Sequence, residues 1–430
     1  MLADGAVVAT GGAGDGTTGP VPTPGTAFRV ASCTKSFTAT AMLQLRDAGA
    51  LDLDTPVADL LEVTMLDGRP SPTVAHLASM SSGIPYDDPW ADRQEAMSTE
   101  DFDAMLREGL RLFADPGTRY EYSSLGYSIL GRVLERVSGL PYVRLVTERV
   151  IEPLGLEGIG YDRSLEVAAI APGHARVAGR WEEQPWQEPG AFSPLGGIIA
   201  TPTGLATWAG WLAAAWRPGA SDAVLSAASR RELQTPRTEV PGPTRSSYGF
   251  GLVVEHDERH GTVISHSGGY PGYGAHMRWH PDSGLGVVVL ENARYSGATL
   301  PATKALTALL DGLAVPGTEP ELWEATRAAR ETVERLVRRW DDAAAAALVA
   351  GNVALDEPLE SRRATAERLR AAVGLDPDAP VVPLVEAAPR SDSAAHLAWS
   401  IRGTTGSLRC EIRMTPVRAP LVETLELRLG

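Results

Sequence analysis

The stretch FRVASCTKSFTATAMLQLRDA, residues 28–48, contains Ser32 and, three positions later, Lys35. Apolar residues follow the lysine at helical spacing and Gly49 supplies a stop, so the sequence predicts a helix from about Ser32 to Ala48. Side chains three positions apart lie on one face of a helix. The serine and the lysine are therefore expected side by side at a helix N-terminus.

Lysine is rare in this chain, which makes the position of Lys35 informative. Lysine and arginine together number 39, and Lys304 is the only other lysine. A guanidinium keeps its proton in a protein, whereas a buried amine can lose it, and only a neutral amine can accept a proton from a serine hydroxyl. The helix dipole at this end also lowers the pKa of a lysine and favours an alkoxide. Ser32 and Lys35 are thus a candidate nucleophile and its base.

Length and composition describe an ordinary globular protein and argue against nucleic-acid binding. The 430 residues are 43% apolar, enough for a large core and for two or three domains. The net charge is -15, and no run of basic residues is present that could neutralise phosphates. We attribute the negative charge to solubility.

The cysteines and the hydropathy pattern indicate neither a metal site nor a membrane protein. Cys33 and Cys410 lie far apart in sequence and form no metal-ligand spacing or disulfide framework, and Cys33 is expected to pack as a small apolar group. No segment approaches the ~20 apolar residues of a membrane span. Residues 5–9 predict a short strand rather than a signal peptide. A cytoplasmic location is expected, unless a signal peptide upstream of Met1 is missing.

Residues 1–314 are expected to form one domain, with strand patterns at both ends and a mainly helical insertion over about 55–245. Late strands are predicted over 248–254, 263–266, 275–279 and 285–290, with a helix over 300–313. The stretch through Trp181, Trp186 and Pro189 is expected to be irregular. This order predicts one antiparallel sheet built from both ends of the domain, and the expected fold class is α/β in the α+β arrangement.

Residues 321–430 are expected to form a separate small α+β domain after a linker at 315–320. Its first helix is marked by Leu322, Val333, Leu336, Val337 and Trp340, and two shorter helices and three strands follow. The strands, 397–401, 408–414 and 425–429, alternate apolar with polar residues. Their sheet is therefore expected to bury one face only.

Two further segments fit the serine and the lysine. They are PGTRYEYSSLGY, residues 116–127, and HSGGYPGYG, residues 266–274. The chain thus carries, in order, a Ser-x-x-Lys motif, the element Tyr122-Ser-Ser and the element His266-Ser-Gly. On these motifs, residues from about 5 to 314 resemble the serine beta-lactamase and penicillin-binding-protein superfamily. The resemblance is to its class C-like branch, which includes esterases, D-amino-acid peptidases and DD-carboxypeptidases.

The resemblance implies a serine beta-lactamase-like fold and catalytic roles for the matching residues. Ser32 Oγ would attack an acyl carbon, neutral Lys35 would accept its proton, and Tyr122 would relay it. Backbone NH groups of Ser32 and Gly269 would form the oxyanion hole. His266 would orient the tyrosine and the lysine, or hold a substrate carboxylate or carbonyl. No metal and no cofactor are implied.

The resemblance also implies a set of substrate-binding residues: Ser124, Ser267, Gly268 and Tyr273. The family has its acyl-binding rim where this chain has Trp181 and Trp186, and for these residues and Tyr273 simple packing explains the pattern equally well. The family's Tyr-x-Asn element has Ser124 in place of the asparagine. A serine offers one hydroxyl, whereas an asparagine offers a separate carbonyl acceptor and NH2 donor together. This departure moves the expected substrate away from beta-lactams.

The expected activity is hydrolysis of a small-molecule ester, amide or peptide through an acyl-enzyme, as in an esterase or a D-amino-acid or DD-peptidase. Acyl transfer to an amine, as in a transpeptidase or peptide cyclase, true beta-lactamase activity, and an inactive binding or sensor protein stay open. The family's first helix and strand, which precede Val7, are expected to be missing, so that either the sheet lacks an edge strand or the start is misassigned. A homodimer formed through the C-terminal domain is also left open.

Overall fold

A computed structural model describes residues 1–429 except 15, 18, 243, 295, 313–321, 385, 386, 388, 390 and 392. The chain divides into two compact units, Met1–Leu313 and Ala314–Gly430, and each unit has its own apolar core. The predicted linker, residues 315–320, lies outside the described residues. In the part of the chain that is described, no helix has the length and apolar character needed to cross a membrane.

The first unit is built around an eight-stranded antiparallel sheet. Its strands and those of the smaller sheets are β1 (Leu2–Ala3), β2 (Ala6–Val7), β3 (Thr26–Arg29), β4 (Ile159–Gly160), β5 (Ala169–Ile170), β6 (His174–Val177), β7 (Arg180–Glu183), β8 (Ile199–Ala200), β9 (Thr238–Val240), β10 (Ser246–Tyr248), β11 (Val253–Asp257), β12 (Gly261–Tyr270), β13 (Tyr273–His280) and β14 (Leu285–Glu291). The order in the large sheet is β2-β1-β14-β13-β12-β11-β10-β9, so both ends of the unit contribute to it, as predicted.

A short N-terminal hairpin forms one edge of this sheet. Leu2 pairs with Gly286 of β14 and with Val7 of β2, and the turn at Gly5 has a positive φ of 82° that glycine adopts readily. The predicted short strand over residues 5–9 is confirmed at Ala6–Val7, although it is shorter than predicted and the chain reverses at Asp4 and Gly5 just before it. This edge of the sheet is formed by β1 and β2, each of two residues.

The predicted strand 248–254 is two strands, β10 and β11, separated by a turn. Gly251 in this turn has a φ of 71°, and a Cβ added there would lie 2.5 Å from the carbonyl oxygen of Lys35. The turn thus packs directly on the backbone of the residue expected to be the base. The glycine pattern hides the break, because glycines 249 and 251 alternate with apolar residues as a strand would.

The helices of the first unit are α1 (Lys35–Asp47), α2 (Val74–Ala78), α3 (Asp88–Ala91), α4 (Thr99–Glu108), α5 (Ser124–Ser138), α6 (Tyr142–Val146), α7 (Ser193–Gly196), α8 (Pro202–Ala213), α9 (Ala227–Leu233) and α10 (Thr299–Gly312). A 3-10 turn over Ala31–Thr34 precedes α1, so the predicted helix from Ser32 begins in this tighter form. Phe37 of α1 stacks on Trp208 of α8 with ring centroids 3.8 Å apart. This contact anchors α1 in the core.

Two small sheets complete the first unit. Strands β4, β8, β3 and β5 form a four-stranded sheet in that order, and β3 leads directly towards Ser32. Strands β6 and β7 form a hairpin. The predicted irregular stretch is therefore wrong at Trp181, which lies on β7 and pairs with Arg176.

The second unit contains α11 (Glu324–Arg338), α12 (Asp342–Leu348), α13 (Gly351–Asp356), α14 (Leu359–Val373), and an antiparallel sheet of β15 (His396–Arg402), β16 (Ser407–Met414) and β17 (Val422–Leu429). Two shorter helices were predicted after the first, whereas the described residues form three, of which α14 is as long as α11. Leu322 and Trp340 lie just outside α11. Along β16 every second side chain is buried, so the sheet buries one face as predicted.

Candidate active site

Ser32 and Lys35 meet where β3 passes into α1. The backbone of Val30 donates to the carbonyl of Ile198, and Ala31 then takes a φ of 49°, in the left-handed region that is costly for a residue with a Cβ. Ser32 follows at once in the 3-10 turn and is 5% exposed. Lys35 Nζ lies 2.9 Å from Ser32 Oγ. The serine is thus held at the start of a helix beside an amine.

Lys35 is completely buried, and this burial governs its protonation. Removal from water lowers the pKa of the amine below its ordinary value, because the charged form is disfavoured. The carboxylates of Asp88, Asp92 and Asp87 oppose the shift without reversing it. A lowered pKa enlarges the fraction of neutral amine at any given pH, which is what a base for Ser32 requires.

Ser124 lies against Lys35 rather than facing open space. Lys35 Nζ donates to Ser124 Oγ at 3.1 Å and to the carbonyl of Leu195 at 3.0 Å. The hydroxyl of Ser124 in turn donates to Asp88 Oδ1 at 2.5 Å, and Ser124 is fully buried. The expectation that Ser124 contacts substrate is therefore not met in this arrangement, because its hydrogen-bonding groups are already engaged within the protein.

Tyr122 stands beside the serine and the lysine. Lys35 Nζ lies 5.0 Å from the centroid of the Tyr122 ring, so the phenol ring packs beside the amine. Burial, followed by the negative charge of Asp88, raises the pKa of the Tyr122 phenol well above its ordinary value. The phenol is therefore protonated and suited to pass on a proton, not to act as a standing anion.

His266 lies behind Tyr122 and makes no hydrogen bond to Ser32 or Lys35 among those formed by the described residues. Its Nδ1 is 2.6 Å from the carbonyl oxygen of Ser267, which can only accept, so Nδ1 carries the hydrogen and Nε2 accepts from the hydroxyl of Tyr248 at 2.8 Å. With Tyr122 it makes only a ring contact, at 6.4 Å between centroids. Burial and then Lys35 lower the pKa of His266 to about 3. The ring is thus neutral, and its partner Tyr248 was not singled out from the sequence.

Strand β12 brings Gly268 and Gly269 against the segment that carries Ser32. A Cβ on Gly268 would lie 2.2 Å from the carbonyl oxygen of Val30, so only glycine allows this close approach. The Cys33 thiol donates to the carbonyl of His266 at 3.4 Å. Gly268 therefore acts through packing, and the amide of Gly269 follows it on a strand that is fixed to the 3-10 turn of Ser32.

Ser267 points away from this group. Adjacent residues of a strand face opposite sides of a sheet, and the Ser267 hydroxyl contacts His276 Nδ1 at 2.8 Å and Thr299 Oγ1 at 3.0 Å, at the start of α10. The expected role of Ser267 in substrate binding is therefore not supported by the geometry.

A cleft of about 380 Å³ lies at the turn between β12 and β13. Tyr270, Tyr273 and Trp186 line it, whereas Trp181 is 46% exposed and is not among its lining residues. Tyr273 donates to the carbonyl of Ala171 at 2.8 Å, which fixes its ring in the wall. Tyr273 and Trp186 thus form walls of this cleft, whose lining does not include Ser32, Lys35, Tyr122 or His266.

The base of the cleft contains a buried ion pair that sequence reasoning missed. Arg29 Nη1 lies 2.7 Å from Glu95 Oε2, and both side chains are almost completely buried. The hydroxyl of Tyr270 donates to the same carboxylate, and the Arg29 guanidinium lies 4.2 Å from the centroid of Trp186. Glu95 thereby ties the end of β3 to the residue that follows Gly269.

The described residues include no group of histidine, cysteine or carboxylate side chains arranged to hold a metal ion. Burial raises the pKa of the Cys33 thiol to about 12, so this neighbour of the nucleophile stays protonated and packs as predicted.

Known proteins with related sequences support the resemblance drawn from the motifs. Penicillin-binding protein 4* of Bacillus subtilis (strain 168) is 28% identical over 279 residues, which are 62% of this chain and 60% of that protein, so the chain spans less than two thirds of its length. Esterase EstB of Burkholderia gladioli is 30% identical over 328 residues, covering 65% of this chain and 81% of the esterase.

Solved structures and a family model agree with these relatives. The octameric penicillin-binding protein homologue from Pyrococcus abyssi aligns with a TM-score of 0.61 at 21% identity, over 95% of this chain and 90% of that one, and confirms the predicted fold class. The family model described as Beta-lactamase matches residues 1–311. Since this match covers well over half of the sequence, the chain belongs to the Beta-lactamase family.

Proposed function

We propose that the protein hydrolyses small ester, amide or peptide substrates through an acyl-enzyme formed on Ser32. The observation that carries the proposal is the 2.9 Å separation between Ser32 Oγ and Lys35 Nζ, with the amine completely buried. A lysine with a lowered pKa at hydrogen-bond distance from a serine is an activated nucleophile and its base. The relatives that include an esterase are consistent with acyl chemistry.

In the proposed reaction, Ser32 Oγ bonds to the acyl carbon while its proton passes to neutral Lys35. The amides of Ser32 and Gly269 stabilise the developing oxyanion, and the proton leaves with the departing alcohol or amine through the Tyr122 hydroxyl. Water then attacks the acyl carbon, gives its proton to the same base, and releases the acid and free Ser32. Each step moves one proton, and none requires a redox partner.

The proposed substrates are simple esters and D-amino-acid amides or peptides rather than beta-lactams. Ser124, which replaces the family's asparagine, is occupied by Lys35 and Asp88 and therefore offers no amide to a substrate side chain. Turnover of nitrocefin comparable to that of nitrophenyl esters would contradict this assignment.

Mass spectrometry after treatment with a fluorophosphonate tests the proposal. One adduct on Ser32 is expected, formed with loss of fluoride, and Ser32→Ala should abolish it. Ser267→Ala is the matched control, because this exposed serine lies on the opposite face of β12 and should leave labelling unchanged. Absence of an adduct on folded wild-type protein, or an adduct elsewhere, would sink the proposal.

We further propose that copies of the chain associate through the C-terminal unit. Leu355 is 87% exposed and Val417 is 58% exposed in this unit, so apolar surface is available there for association. The Pyrococcus abyssi homologue is described as octameric. Light scattering should therefore give a multiple of 45.5 kDa that falls when Leu355 is replaced by Asp. A wild-type mass of 45.5 kDa would contradict the association.

A further inference from the structure

A neutral Lys35 amine has two hydrogens and one lone pair, and its surroundings decide where the lone pair points. Its three partners are Ser32 Oγ, Ser124 Oγ and the carbonyl of Leu195, all within 3.1 Å. The carbonyl can only accept, so it takes one N–H. Each hydroxyl can either accept the second N–H or donate to the lone pair. Only the arrangement in which Ser32 donates prepares the nucleophile.

Asp88 resolves this choice at Ser124. The Ser124 hydroxyl donates to Asp88 Oδ1 at 2.5 Å, and a carboxylate can only accept. The single hydroxyl hydrogen of Ser124 is thereby committed to Asp88, which leaves the oxygen free to accept from Lys35. With Leu195 and Ser124 taking the two N–H groups, the lone pair faces Ser32.

We propose that Asp88 is a positioning residue that, by holding the hydroxyl hydrogen of Ser124, reserves the lone pair of Lys35 for Ser32. The inference rests on the proposed function, because it concerns how the same nucleophile is activated. It also explains how the chain accommodates Ser124 where the family has an asparagine. A serine at this position could compete with Ser32 for the amine, and the acid on α3 prevents that competition.

The neighbouring acid, Asp87, has a different task. Its carboxylate accepts from the backbone amides of Ser124 and Leu125, at 2.7 and 3.1 Å, and from the Ser123 hydroxyl at 2.8 Å. It thus holds the first turn of α5 and makes no contact with the Ser124 hydroxyl among its hydrogen bonds in the described residues. Asp87 therefore offers a control of equal charge.

A pure charge effect of Asp88 must be separated from its effect on hydrogen-bond direction. The titratable groups around Lys35 lie on several elements. They are Asp88 on α3 with the flanking Asp87 and Asp92, Cys33 before α1, Tyr122 just before α5, Tyr127 on α5, and His266 on β12. As a charge, Asp88 raises the pKa of Lys35, so its removal would only increase the neutral fraction. A loss of rate where Lys35 is already fully neutral therefore reports the direction of the lone pair.

A double-mutant cycle on the full chain tests the proposal. The variants are Asp88→Ala, which removes the acceptor of the Ser124 hydroxyl, Ser124→Ala, and their combination. They are assayed by kcat/KM for nitrophenyl acetate on the alkaline plateau and by the rate of fluorophosphonate labelling. Asp88→Ala should lower both by about tenfold, the worth of one misdirected hydrogen bond. Once Ser124→Ala has removed the competing hydroxyl, the same substitution should change them by less than about twofold.

Equal losses from Asp88→Ala in both backgrounds, or no loss on the plateau, would overturn the inference. Asp87→Ala should lower the melting temperature, since it removes the acceptor of the first α5 amides, and its effect should be independent of Ser124→Ala. If thermal melting shows that Asp88→Ala is unfolded, Asp88→Leu, which fills more of the site without an acceptor, completes the cycle. A wild-type protein without a Ser32 adduct would instead defeat the proposed function, so the two failures are distinguishable.

Discussion

Lys35 can serve as a base only if its nitrogen becomes neutral. Lys35→Arg tests this requirement directly, because it keeps the charge and removes the ability to lose the proton. The guanidinium keeps the positive charge but cannot accept a proton from Ser32. We expect kcat/KM for nitrophenyl esters to fall by at least about a hundredfold, the usual contribution of a general base. Lys304→Arg on the exposed surface of α10 should behave as wild type. Near-normal rates for a folded Lys35→Arg variant would refute the base.

The plot of kcat/KM against pH should show one rise with increasing pH, caused by deprotonation of Lys35, and no change caused by titration of a histidine. Lys35 must lose its proton to act, so the rate rises with pH through the lowered pKa of this amine. The pKa of His266 is lowered to about 3, so the ring stays neutral across the working range and contributes no limb near its ordinary value. A rate profile from pH 5 to 10 checks this, and a limb that disappears in His266→Asn would contradict it.

The residues of the site differ in how far sequence could identify them. Ser32 and Lys35 are three positions apart on one helical turn, so local spacing was sufficient. Asp88 reaches Ser124 through tertiary folding from the first residue of α3, and no spacing along the sequence predicts that contact. His276 pairs with Ser267 only because β12 and β13 are in register. Contacts of this kind depend on strand register and on packing between distant segments.

At the scale of elements, the turn between β10 and β11 supports the start of α1. Gly251→Ala forces a Cβ to within 2.5 Å of the Lys35 carbonyl, whereas Gly261→Ala places one in open space. Both glycines have positive φ values, 71° and 83°, so the backbone strain of the two variants is matched. We expect Gly251→Ala to lose most of its activity and to melt lower than Gly261→Ala. Equal activities would show that the turn does not position Lys35.

Elements with a buried face were predictable, and elements without one were not. Strand β16 alternates buried and half-buried side chains, and its pattern was recognised. All four residues of β7 are exposed, so the hairpin containing Trp181 carries no alternation. Helix α14 buries only Ala366 and Val373 completely, so its apolar period is weak and its length was underestimated. Burial, rather than secondary structure itself, produces the pattern that a sequence displays.

At the scale of the whole molecule, the two separate cores predict that the C-terminal unit can be weakened without loss of the nucleophile. Glu334 on α11 is completely buried between Arg330 and Arg338, at 2.9 and 3.0 Å. Glu334→Gln leaves two buried guanidiniums without a counter-charge and should cost about 3–5 kcal/mol. Calorimetry should show the loss in one transition, while the rate of Ser32 labelling is unchanged.

The exposed acid on the same helix provides the control for this substitution. The Glu331 side chain is 56% exposed, and its Oε2 lies 3.7 Å from Arg335 Nη1, which is a long separation for an ion pair. Glu331→Gln should therefore change the free energy of unfolding by less than about 1 kcal/mol. Loss of Ser32 labelling in folded Glu334→Gln protein would show that the first unit depends on the second.

Activation of Ser32 depends on a Lys35 amine that loses its proton more readily than an ordinary lysine. Because the chain has only two lysines, the pKa of the Lys35 amine can be measured directly. Protein labelled with 13C at the lysine Cε should give two resonances, assigned by Lys304→Arg. The Lys35 resonance should titrate below the ordinary value for lysine, because burial lowers the pKa of its amine. A Lys35 resonance that titrates near the ordinary value would contradict the role of this amine as the base.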